Sequence, residues 1–130
     1  MDLEEYGRAQ RRMSNPQCVF CEVMTEPSVI YQEVCGTLAR KVNLKVANEA
    51  KTQMDLMINP KRLANCDKAF CVSAFRLCSE YNIYAIDALY LQAALKNNAT
   101  LVSLDKEDFI DRLKKKKPPI EVFAVSEFPY

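Results

Sequence analysis

Between Asn82 and Phe109 the chain reads NIYAIDALYLQAALKNNATLVSLDKEDF, and this stretch limits the architecture more than any other. Ala88, Leu89, Leu91, Gln92, Ala93, Ala94, Leu95 and Lys96 are mostly good helix formers, and Asp87 stands before them as a favoured N-cap. Asn97 and Asn98 predict the helix end, because Asn tolerates the left-handed turn in which helices stop. Thr100 to Leu104 is a short apolar run, the pattern of a strand buried on both faces. Asp105 falls where that run stops. A carboxylate at a helix start and another just past the next strand can meet at one edge of a sheet. In open α/β sheets, sites lie beyond the carboxyl ends of the strands.

The remaining elements follow in order. Leu3 to Met13 reads as a helix of mixed charge stopped by Ser14-Asn15-Pro16, and Cys18 to Met24 as a short strand with Glu22 inside it. Thr25-Glu26-Pro27-Ser28 reads as a helix start with Pro in the first turn, opening a helix from about Ser28 to Lys41. Glu33 falls in its apolar stripe, near Ile30, Val34 and Thr37, where a carboxylate asks for a partner or a metal. Val46 to Ile58 predicts a third helix, broken by Asn59-Pro60. Arg62 to Tyr81 predicts a long fourth helix with Leu63, Cys66, Ala69, Phe70, Ala74, Leu77 and Cys78 as its buried stripe, ended by Asn82. Phe109 to Lys117 predicts a terminal helix stopped by Pro118-Pro119, and Ile120 to Val125 a last strand. Strands separated by helices predict an α/β fold, a three-layer α/β/α sandwich with a mainly parallel sheet. A chain of 130 residues predicts one domain over 1–130.

Composition removes several chemistries. The chain has no His, which excludes the Ser-His-Asp triad and every His-containing zinc site. Two Gly leave no Gly-rich phosphate loop. A net charge of +1 argues neither for nor against a nucleic-acid partner. No apolar run reaches membrane-spanning length, and the polar start MDLEEYGRAQRRM is unlike a signal peptide, so the expectation is a cytoplasmic protein with no membrane partner. There are six Cys, and Cys18 and Cys21 form one CxxC. Zinc sites usually pair two such groups, and a redox CxxC sits at a helix N-terminus, so the thiols are expected to pack as small buried hydrophobes, with a structural disulfide as the alternative. Lys114 to Lys117 reads as a solvated helix end, with phosphate contact as the alternative.

Asp87-Ala88-Leu89-Tyr90-Leu91 through Ala94, a short turn, Leu101-Val102-Ser103-Leu104-Asp105 and then Asp108-Phe109 together resemble the C-terminal half of the PIN-domain nuclease family, whose best-known members are the VapC-type toxins. Pro27-Ser28-Val29-Ile30-Tyr31-Gln32-Glu33-Val34 is similar to the Pro-apolar-x-x-x-Glu-apolar setting of a family acid. The resemblance runs from about Leu3 to Val125. It implies a metal-dependent ribonuclease with Glu33, Asp87 and Asp105 as metal ligands, Asp108 as an auxiliary acid and Ser103 in the place of a small hydroxyl residue. A homodimer and a protein antitoxin as partner belong to the same expectation. One element departs from the pattern. Family members begin with an apolar strand ending in Asp, whereas Asp2 has no strand before it and Glu22 is too near Glu33 for that role. Three explanations stand open: a start upstream of Met1, a second segment or partner chain in the gap, or a catalytically inactive PIN-like module that binds RNA or protein.

Carboxylates alone can support this chemistry. Three like charges a few ångströms apart cannot all stay ionised without a cation. Hard oxygen ligands select Mg²⁺ or Mn²⁺. Such a site suits phosphodiester hydrolysis and needs no His.

Overall fold

The computed structural model describes residues 24–129. The helix expected over Leu3 to Met13, the strand up to Met24, the CxxC, Glu22 and the question of a first strand with its Asp lie outside the described residues, apart from Met24 itself, which is buried and not in a strand.

Among the described residues all strand pairing is parallel, the arrangement that joins strands through helical crossovers. β1 (Glu26–Pro27) pairs with β2 (Leu63–Ala64), Glu26 opposite Leu63. β3 (Leu101–Ser103) pairs with β4 (Val122–Ala124), Leu101 opposite Val122. Among the described residues these form two separate two-stranded ladders. From β1 the chain passes through a π-helical turn (Gln32–Gly36) into α1 (Thr37–Lys41) and α2 (Leu44–Met57). After β2 come α3 (Lys68–Tyr81) and α4 (Ala85–Lys96). A second π-helical turn (Lys106–Ile110) and α5 (Asp111–Lys115) cross from β3 to β4.

Two expected helices are corrected at their starts, for one reason. Glu26–Pro27 is strand, not a first helical turn; the Thr25 hydroxyl donates to the Arg62 carbonyl at 2.7 Å instead of capping a helix. That contact and the parallel pairing draw 63–64 out of the predicted long helix into β2. Pro60–Arg62 is a 3-10 turn, and α3 starts where the Asp67 side chain accepts from the Phe70 N–H at 2.9 Å. Ala69, assigned to the buried stripe, is consequently exposed, whereas Phe70, Ala74 and Leu77 are buried as expected. Asn82 ends α3 in the left-handed conformation at φ 54°. At the end of α4 it is Asn98, at φ 49°, and not Asn97, that takes this conformation.

α4 buries Ala88, Leu91, Ala93 and Ala94 because it packs on α3 and also contacts β1 and β3. Ala88, Leu91, Ile110 and Leu113 are 0% exposed and pack with Leu77, Tyr81, Ile83, Phe109 and Val122 in the main core. Met24, Met54 and Ile58 form a second cluster, and Leu38, Ala47 and Ala50 a third. Cys35, Cys66 and Cys78 are half-buried free thiols, but Cys71 is exposed, contrary to the buried expectation. Among the described residues no helix is long and apolar enough to cross a membrane.

Candidate acidic site

α4 begins two residues before Asp87. Tyr84 is its N-cap in extended backbone, so Asp87 lies inside the first turn and does not cap the helix. In that turn the carboxylate still lies at the positive end of the helix dipole. Three residues on, and so on the same helix face, Tyr90 donates its hydroxyl to Glu33 Oε2 at 2.5 Å. Glu33 is exposed and lies in the first π-helical turn, not in an apolar stripe; its partner is this hydroxyl. Burial, and then the bond to Glu33, raise the Tyr90 phenol above its ordinary value, so it remains a donor.

Asp105 caps the second π-helical turn. Its Oδ1 accepts from the Asp108 N–H at 3.0 Å, and its own N–H donates to Ser103 Oγ at 3.1 Å. Asp108 Oδ1 accepts from Arg112 Nη2 at 3.0 Å. Single π-helical turns are concentrated at functional sites. Here one carries Glu33 and the other Asp108, directly after Asp105.

Asp87 registers all of these groups. Burial first, and then the charges of Asp105, Glu33 and Asp108, push its carboxyl up to about 6, while Arg112 acts the other way. The four acids singled out in the sequence therefore share one electrostatic neighbourhood.

Glu26 and Tyr90 join this neighbourhood without a sequence signal having named them. The i, i+3 spacing from Asp87 could have found Tyr90. A two-residue strand has no periodicity, so nothing local marked Glu26. Glu26 keeps part of its surface accessible, yet burial, and then Glu33, push its carboxyl up to about 8. An acid whose folded value is raised holds its proton longer folded than unfolded. That contribution is complete below the ordinary value of 4.5 and is lost as pH rises through about 8. Glu26→Gln cannot lose it. The variant and wild type should melt together near pH 4, and the variant should melt progressively higher as pH is raised to 8, in thermal scans followed by circular dichroism.

The donor set is all carboxylate oxygen, the chemistry that a hard divalent cation requires. Among the described residues, no three Asp, Glu or Cys side chains stand close enough to form a coordination shell as placed. The groove lined by Asn65, Phe70, Ser73 and Gln92 includes none of the four candidate acids.

No curated protein and no solved structure matches the chain. The PIN domain family model matches residues 5–116, which takes in every acid of this neighbourhood. Members of this family are generally nucleases that use divalent metal ions, and by this match the chain belongs to the PIN-domain nuclease family.

Proposed function

We propose that the chain is a metal-dependent endoribonuclease that hydrolyses RNA phosphodiester bonds at Glu33, Asp87 and Asp105, with Asp108 as an auxiliary acid. The observation that carries this reading is the crowding of Asp87 by Asp105, Glu33 and Asp108, four acids from three segments, with Tyr90 of the Asp87 helix bonded to Glu33. Like charges held together in a partly desolvated place are a standing demand for a cation. Glu33, Asp87 and Asp105 would hold it; Mg²⁺ or Mn²⁺, when bound, neutralises their charge and lowers the pKa of an attacking water. The chain's own residues do the positioning. Tyr90 fixes one oxygen of Glu33, Asp105 is oriented by its capping bond, and Arg112 restrains Asp108. A homodimer and a toxin role with a protein antitoxin are supported by the family resemblance alone, organisation as one domain by chain length, and a cytoplasmic location by the composition of the sequence.

A binding-only module is the second reading, and one observation favours it: the acids are near one another without forming a shell. One experiment separates the two. Purified protein is incubated with a panel of single-stranded RNAs and Mn²⁺, with EDTA as control. Cleavage abolished by EDTA is the expected result. RNA retained in a gel shift but never cut would establish the binding module instead.

A further inference from the structure

We propose that Tyr84, backed by Arg112, is a stacking platform for one unpaired nucleobase of RNA beside the acidic site; this rests on the nuclease reading above. Tyr84 is 58% exposed, and its neighbour Ile86 is 40% exposed. The Arg112 guanidinium carbon lies 5.5 Å from the Tyr84 ring centroid, within cation–π range. Arg112 is not a loose surface cation. Nη1 donates to the Asn82 carbonyl at 2.9 Å and Nη2 to Asp108 Oδ1 at 3.0 Å. The bond to Asp108 sets the platform beside the acids.

Chemistry explains the need for such a group. A cation held by the acids offsets their charge without reading a base, so contact with a nucleobase must come from groups beside them. Every base has a π face, and unpaired bases stack on aromatic rings and on guanidinium planes. A guanidinium has five N–H donors, of which two are accounted for here, leaving others for an adjacent phosphate. Lys114 pairs with Glu127 at 2.8 Å, while Lys115, Lys116 and Lys117 are exposed at the end of the helix that carries Arg112.

The test uses full-length Asp87→Asn protein in Mg²⁺, so that RNA survives, and reads the anisotropy of a labelled single-stranded 8-mer and of an abasic oligomer of equal length. Adding Tyr84→Ala should weaken the base-bearing RNA by roughly 5- to 150-fold, the range of one base stack, and leave the abasic oligomer unchanged. Tyr84→Trp should restore binding. Equal weakening of both oligomers would show a structural role, and no weakening would remove the platform; either overturns the proposal while the nuclease reading stands on cleavage by wild type. Failure of both the Asp87→Asn protein and wild type to bind any RNA would overturn the two together.

Discussion

Asp87→Asn should abolish RNA cleavage, with a rate loss on the order of 100-fold or more, the scale set by removing a group that stabilises developing charge. The fold should survive. Asn keeps the shape, and a neutral amide relieves the crowding imposed by Asp105, Glu33 and Asp108. Its melting temperature at pH 7 should therefore equal or exceed that of wild type. The pairing of lost activity with retained stability is what marks a site residue. Initial rates on a labelled RNA, with melting curves on the same preparations, provide both readouts. Full activity in the variant would mean that the chemistry lies elsewhere; lost activity with a fallen melting temperature would assign Asp87 to the fold.

Phe109→Ala should produce the opposite pairing. Phe109 is 2% exposed, between Asp108 and Ile110 in the second π-helical turn, and packs into the main core with Leu91, Leu113 and Val122. Truncating a buried Phe costs about 3–5 kcal/mol, because the cavity collapses only in part. Domains of this size are stable by roughly 5–15 kcal/mol, so the loss is a large share of the total. A fall in melting temperature on the order of 10–20 °C follows. Leu56, 78% exposed on α2, serves as the control: Leu56→Ala should stay within about 0.5 kcal/mol of wild type. Thermal unfolding by circular dichroism checks both. A Phe109→Ala protein as stable as the Leu56→Ala control would contradict the core described here.

Asp87 and Asp105 were legible in the sequence because each sits where a strong local pattern changes, at a helix start and at a strand end. Asn82 was legible because its preference for positive φ is a property of the residue itself. β1 and β2 were not, since two residues carry no period and their pairing joins positions 37 apart, Glu26 with Leu63. The same gap displaced two helix starts. The π-helical turns were invisible for a different reason: QEVCG and KEDFI carry no residue that breaks an ordinary helix pattern. Glu33 was expected to need a partner or a metal because it fell in an apolar stripe; it is exposed instead, and the hydroxyl it meets, Tyr90, is 57 residues away. Local pattern located the acids; the partners that orient them are tertiary.

That separation also sets an order of assembly. The α3–α4 pair joins neighbouring segments, whereas Tyr90–Glu33 spans 57 residues and Asn97–Thr25 spans 72. Closing a longer loop carries a larger entropy penalty, and contacts distant in sequence form later. A nascent or partly unfolded chain will therefore hold helices before it brings the acids together. On the nuclease reading proposed above, an incompletely folded copy would lack the assembled acids and so be inert.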